Sequence, residues 1–491
     1  MTGEFDLCIV GGGPAGATLA GRCARLGHHV AVVEQHRFPR PHVGESLSPG
    51  VWPLLESLGV HERVAVAGFT RPAQARIRWR GDEERLPTGD GLTVDRGAFD
   101  AILLQHARDS GAVVLPPGVA RRPVRAGDGW TVPLGDRVLH ARFLADATGR
   151  RRLLGGRRCR TGPRTLALHG TWRGGPPPEG PQTCIDALAH GWLWGAHLPG
   201  GQIRTMAFVD PETLVAAQGR DGERLYRRLL AASPLFVDLL AGAQLAGRVQ
   251  VCDATSYAAP TPVDPSSVKV GEAAFAIDPL SSSGVQTAIQ TGLAAAAVVH
   301  SILEPDADTH AALQYYVDHQ HYSVRRHAAT SAGLYAEHRP HADAPFWRRR
   351  SAGAPPTPSP GPRAAPLADL LPLRVRLPAT AALRDTPCLV GDRIELHRAL
   401  SHPVLDRPVA FLGGCALAPL LDRLPAAPSL AAALRSWDRS LPSGHAREIA
   451  AWLHRRGLLE IVPVCLGRND ASRLLDTECI GRGFSHHKGI T

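Results

Sequence analysis

Residues 7–34 constrain the fold more than any other stretch of this chain. The apolar run Leu7-Cys8-Ile9-Val10 enters Gly11-Gly12-Gly13-Pro14-Ala15-Gly16; a small-residue helical pattern follows, and Val30-Ala31-Val32-Val33 ends at Glu34. Strand, glycine turn, helix, strand and acid in this order form the first βαβ unit of a dinucleotide-binding domain. Gly11 permits the tight turn, Gly13 lets backbone N–H groups approach a pyrophosphate, and Gly16 lets the helix lie close to the sheet. Pro14 and Ala15 open that helix, whose N-terminus turns partial positive charge toward an anion. Glu34 is placed to accept hydrogen bonds from ribose hydroxyls. An ordinary glycine turn requires none of this context.

A chain of 491 residues predicts two or three domains with ample core. The formal net charge of +10 is an arginine charge, because Lys269 and Lys488 are the only lysines. The arginines are dispersed and form no basic, aromatic-interleaved patch, so nucleic acid is not an expected partner. A docking surface for an acidic partner stays open. Nine cysteines without a CxxC pair predict reduced thiols, with neither a zinc site nor a disulfide framework. No run of about 18 apolar residues predicts a membrane span. An N-terminus that reads as a strand rather than a cleavable signal makes the cytoplasm the expected location.

Five landmarks follow in order: Arg37–Leu47 with Gly44-Glu45-Ser46, Val94–Asp100 opening an amphipathic helix, Phe143–Arg150 as a buried strand entering a turn, Val268–Phe275, and Ile277–Gly284 ahead of a small-residue helix. Residues 351–366 are proline-rich and cannot form a core.

In these landmarks the chain resembles the flavin-dependent halogenase and aromatic monooxygenase superfamily, which shares the p-hydroxybenzoate hydroxylase fold; the match covers residues 5 to about 350. The fold class implied is α/β, a Rossmann-like FAD-binding domain (1–74, 94–165, 262–350) interleaved with a substrate-binding sheet domain (75–93, 166–261). A linker (351–366), a winged-helix-like domain (367–465) and a tail (466–491) complete the expected layout. The resemblance implies FAD bound extended, its ADP half at Gly11–Gly16 and Glu34. Arg40, Glu45, Ser46 and Arg96 belong to the cofactor set, and Asp278-Pro279, Ser283 and Gly284 lie by the isoalloxazine. Helix-terminal N–H groups there stabilise the negative charge of a reduced flavin. Glu272 stands where the family carries aspartate, so its carboxylate is one methylene longer.

Halogenases and hydroxylases of this superfamily begin alike, with reduced flavin and O₂ forming an electrophilic C4a-hydroperoxide. Halogenases then pass hypochlorous acid down a tunnel to a lysine, whereas hydroxylases bring the aromatic ring to the flavin. Where that lysine is expected the chain offers Arg76, Arg78 and Arg80, and arginine does not shed its proton. The glutamate that tryptophan halogenases place near Ser281 is missing, and their Trp-x-Trp-x-Ile-Pro signature survives loosely as Trp192–Pro199. Ser281 and Ser282 are catalytic candidates in the loop that steadies the reduced ring. Trp192, Trp194, Arg76 and Arg78 are substrate candidates; an exposed arginine face is the plainer account of the latter two. His197 is the acid/base candidate, ahead of Thr183, Asp186 and His190.

The winged-helix-like block carries little basic charge on its presumed recognition helix, Gly444–His454, which favours peptide capture over DNA, with a lid or dimerisation domain equally open. The expected activity is therefore hydroxylation of a tryptophan in a peptide or protein. This is similar to the tryptophan hydroxylase type that serves cysteine tryptophylquinone biogenesis in quinohemoprotein amine dehydrogenase. No second dinucleotide fingerprint occurs, so either NAD(P)H reacts transiently or a separate flavin reductase is the expected electron source. A small-molecule aromatic hydroxylase, a halogenase-like enzyme and a reductase of the geranylgeranyl type are the alternatives.

Overall fold

The computed structural model describes residues 4–175, 182–216, 221–355 and 366–462. The chain divides into two compact units, one of Met1–Pro358 with Asp385–His397 and one of Ser359–Arg384 with Arg398–Thr491.

In the first unit, Glu4–Val10 is central in an eight-stranded sheet, parallel to Val30–Val33 on one side and to Arg137–Asp146 on the other. These strands are apolar on both faces because both faces are covered, as parallel sheets require. The helices Pro14–Arg25, Arg96–Asp109 and Gly284–Leu303 supply much of that cover. Gly284–Leu303 is long and apolar enough to cross a membrane by length and composition, which the run-length criterion missed. However, 72% of its apolar window is buried in the fold, so its apolarity is spent on the core.

A second, seven-stranded sheet runs Ala243–Asp253, Leu166–Gly174, Gln202–Val209, Gly191–Leu198, Gln182–Leu188, Gln74–Arg78, Glu84–Pro87. One face packs Leu168, Trp172 and Leu193 against the helices Gly222–Ala231 and Pro234–Leu239. The other carries Ala167, Trp192, Trp194, Met206 and Phe208 toward Trp79, Tyr335, Phe346 and Trp347. Strand alternation divides the residues: even-numbered side chains of Gly191–Leu198 go to the second face, odd-numbered ones to the first.

Residues 385–397 belong with the first unit, not with the rest of the 367–465 block. Ile394 is buried in the core around the dinucleotide sheet, and its N–H donates to Ser301 Oγ at 2.8 Å. Arg393 pairs with Glu304 at 3.0 Å, and Asp392 pairs with Arg22.

The second unit has its own core of Leu417, Leu421, Leu430, Trp437, Ile449 and Leu453. Among the described residues its helices are Leu367–Leu370, Ala418–Arg423, Leu430–Asp438 and His445–Arg455, and Val375–Arg376 pairs antiparallel with Glu460–Ile461. The tail, 466–491, and 356–365 of the expected linker lie outside the described residues.

Candidate active site

A cavity of about 580 Å³ runs from the glycine turn to the aromatic face of the seven-stranded sheet. At one end Gly11 adopts φ +111°, and a Cβ there would come within 2.3 Å of the Ala147 carbonyl oxygen. Gly16 does not line the cavity; a Cβ on it would lie 1.9 Å from Gly11 O, so its role is the close packing of helix on turn. Glu34 lines the cavity and accepts from the N–H groups of Gly12 (2.8 Å) and His36 (2.9 Å), leaving each oxygen one further acceptor position. Arg40 lies beside Gly13, pairs with Asp100 at 3.5 Å, and keeps a buried Nη1 without a hydrogen-bond partner.

Arg96 binds Asp100 through both arms of its guanidinium (3.0 and 3.1 Å) and donates to Val43 O at 2.7 Å. Its work is to hold the Val43–Gly44 turn, where Gly44 has φ +96° and a Cβ would meet Arg96 Nη1 at 2.9 Å. Glu45 is buried against Arg204 at 2.9 Å. Burial pushes its carboxyl up, and Arg204 opposes the shift. Ser46 lines the same wall. Glu272 lies at the rim, paired with Arg150 at 3.2 Å.

At the far end Asp278, Pro279, Ser282 and Gly284 line the cavity, Ser282 with φ +48°. Ser281 and Ser283 are not among the lining residues; the Ser283 hydroxyl donates to Ser281 O at 2.9 Å and closes the turn. Asp278 accepts from Leu280 N–H (3.0 Å) and from the Tyr335 hydroxyl (3.1 Å), and that hydroxyl in turn accepts from Trp192 Nε1–H at 3.2 Å. Burial pushes the Asp278 carboxyl up, opposed by these donors and by Arg350. One chain of hydrogen bonds thus ties the aromatic sheet face to the Asp278–Gly284 loop. Trp192 stacks on Phe208 at 4.0 Å, and both line the cavity with Trp194 and Met206.

This chain matches the FAD dependent oxidoreductase family over residues 6–162. It is 33% identical over 340 residues to a tryptophan 2-halogenase of Chondromyces crocatus, covering 64% of this chain and 65% of that protein, just under two thirds of its length. Among solved structures it is similar to the peptidyl tryptophan dihydroxylase QhpG, essential for tryptophylquinone cofactor biogenesis. That match has TM-score 0.74 and 28% identity, and covers 93% of this chain and all of that one. The myxobacterial chondrochloren halogenase CndH matches with TM-score 0.63 and 26% identity, over 71% of this chain and 86% of that one. In these matches the chain is similar to flavin-dependent halogenases and to an aromatic hydroxylase of the same fold. FAD is its cofactor.

The residues present fit that group. The glycine cradle that a Cβ would fill and the orphaned Arg40 Nη1 suit a pyrophosphate, and Glu34 retains acceptor capacity for a ribose.

Apart from Trp192 and Trp194, the expected residues of the substrate sheet lie elsewhere. His197 is on the strand Gly191–Leu198 but in the odd-numbered set, so it belongs to the sheet face opposite Trp192 and Trp194 and does not line the cavity. Arg76 pairs with Glu83 (2.8 Å) and Asp238 (3.3 Å), and Arg78 grips the buried Asp186 through two bonds of 2.9 and 2.8 Å, with Ser233 on the same carboxylate. Both are structural ion pairs outside the cavity. Thr183 is buried in the sheet, and His190 is exposed in the turn after it.

The structure brings in residues that sequence reasoning passed over. His169 lines the cavity from the strand Leu166–Gly174, buried, with Nδ1 unpartnered. Burial, then the Arg204 charge, lowers its pKa to about 4, so it is neutral near pH 7. Tyr335 and Arg204 were also missed. His169 shares the alternation phase of Ala167, which was the available signal, but nothing local says which phase faces the cavity.

Proposed function

We propose that this chain is an FAD-dependent monooxygenase that hydroxylates an aromatic residue, tryptophan, carried by a polypeptide. The observation that carries the proposal is the far wall of the cavity. Trp192, Trp194, Met206 and Phe208 form it, and behind it Trp79, Tyr335, Phe346 and Trp347 fill the space on the side of the strand Gln74–Arg78. Trp79 packs edge-on to Trp347 at 5.1 Å. Among the described residues no lysine lines the cavity, and Lys269 donates to the Gly155 carbonyl at 3.2 Å. A filled wall without an amine favours a ring oxidised beside the flavin over one halogenated at a distance.

Bound and reduced, FAD supplies the activation of dioxygen. The protein's part is to bind, orient and exclude water. The Gly11–Gly13 turn with Arg40 would hold the pyrophosphate, Glu34 the ribose, and the Asp278–Ser282 turn with the following helix N-terminus the reduced ring. Tyr335 orients the Asp278 carboxylate, and the tryptophan wall keeps water from the ring. Neutral His169 can take a proton at Nδ1 from the oxidised ring.

The polypeptide substrate rests on the likeness to the tryptophan dihydroxylase, which extends over 93% of this chain and includes the second unit. In that unit the helices Ala418–Arg423, Leu430–Asp438 and His445–Arg455 with the antiparallel strands Val375–Arg376 and Glu460–Ile461 support a winged-helix-like module suited to peptide docking. A separate reductase supplying electrons fits a chain with one dinucleotide turn. Halogenation is the second reading, favoured by the 33% identity to the tryptophan 2-halogenase.

The test is mass spectrometry of free tryptophan and of tryptophan peptides incubated with the FAD-loaded protein, a flavin reductase, NADH, chloride and O₂. The expected product is a peptide heavier by one or two oxygens. A chlorine mass shift, or oxygenation of free tryptophan alone, would overturn the proposal.

A further inference from the structure

A second cavity, of about 340 Å³, shares Ile277 and Asp278 with the first and is closed by the helices Thr309–Ala336 and Pro345–Ser351. Its polar groups are unbalanced. Arg350 lines it with a side chain 1% exposed, and its Nε has no acceptor; Ser331, also buried, has an unpartnered Oγ. Arg349 and Arg350 share a single carboxylate, Asp210, so the pair keeps a surplus positive charge. Arg325 adds an exposed guanidinium to the lining, and His327 lies 3.3 Å from Thr287 Oγ1. Among the described lining residues the one acid, Asp278, is already engaged by Leu280 N–H, the Tyr335 hydroxyl and the Arg350 charge.

Buried donors in excess call for an acceptor-only group, which among biological side chains is a carboxylate. The remaining wall is apolar (Phe275, Ile277, Val324, Ala332) and suits the methylenes that carry it. The volume is at the lower end for a ligand pocket and large for a free monatomic ion. We propose that this cavity takes an acidic side chain of the polypeptide substrate, near in sequence to the aromatic residue that is oxidised. It would then set which residue is presented across the shared Asp278 wall. The proposal rests on the polypeptide-hydroxylase reading above.

The experiment uses the full, FAD-loaded chain and two tryptophan peptides that differ only by glutamate or glutamine beside the tryptophan, with affinity read by fluorescence anisotropy. The glutamate peptide is expected to bind about tenfold more tightly. Ser331→Leu, which fills the cavity, and Arg325→Gln, a solvent-exposed change that spares the fold, should each erase that difference while the flavin absorbance stays unaltered. Equal affinities on the parent protein, or a preference that survives both substitutions, would overturn the proposal. If neither peptide binds, the polypeptide reading fails and takes the peptide carboxylate with it. Benzoate that then binds the parent protein but not Ser331→Leu would identify a site for a free carboxylate instead.

Discussion

A buried imidazole with Nδ1 unpartnered, near the Arg204 charge, stays neutral, and His169 therefore links acidity to stability. Its folded pKa of about 4 lies below the ordinary 6.5, so between these values the unfolded chain binds a proton that the folded chain refuses. The fold loses stability as pH falls through that window, and the loss levels off below the folded value. In His169→Gln the decline in urea midpoint between pH ~7.5 and pH ~4.5 should be shallower than in the parent. Tyr335 is the other residue whose single atom matters. Tyr335→Phe removes the hydroxyl between Trp192 and Asp278 and leaves a buried indole N–H unpaired, at a cost of about 1–3 kcal/mol. Thermal unfolding should report the loss, and a shift in the bound flavin's absorbance should report the altered Asp278 loop.

At the scale of elements, the glycine turn and the helix it feeds act as one piece. A Cβ at Gly16 would lie 1.9 Å from a backbone oxygen that cannot give, whereas at Gly333, inside the helix Thr309–Ala336, it meets nothing within 4 Å. Gly16→Ala should cost about 1–3 kcal/mol through overpacking and abolish FAD retention on a desalting column. Gly333→Ala should retain FAD and gain about 0.5–1 kcal/mol from helix propensity. Equal behaviour of the two variants would refute the packing role given to Gly16.

For the whole molecule, the docking of residues 385–397 on the dinucleotide unit is the least anticipated feature. Ile394 is 5% exposed and anchors this segment to the core. Ile394→Ala should destabilise by about 2 kcal/mol, measured by denaturant unfolding. Its backbone amide, bonded to Ser301 Oγ, should lose protection in hydrogen exchange.

The glycine-turn end of the cavity was legible because its determinants are local. Gly11, Gly13, Pro14 and Glu34 lie within one βαβ unit, where strand, turn and helix signals succeed one another and the cavity follows from backbone shape alone. The aromatic end was not. Period-two alternation in Gly191–Leu198 separates Trp192 and Trp194 from His197, and in Gln74–Arg78 it separates Ile77 from Arg76 and Arg78. Alternation names two faces without saying which one is covered by what. That choice was made by partners far along the chain: Tyr335 and Trp347 on one face, and Phe236 with Asp238 on the other. The sequence by itself determined the glycine turn and the acid that line one end of the cavity. Only tertiary packing decided which histidine faces it, because burial of a side chain is a property of the sheet's two coverings and not of the strand that carries it.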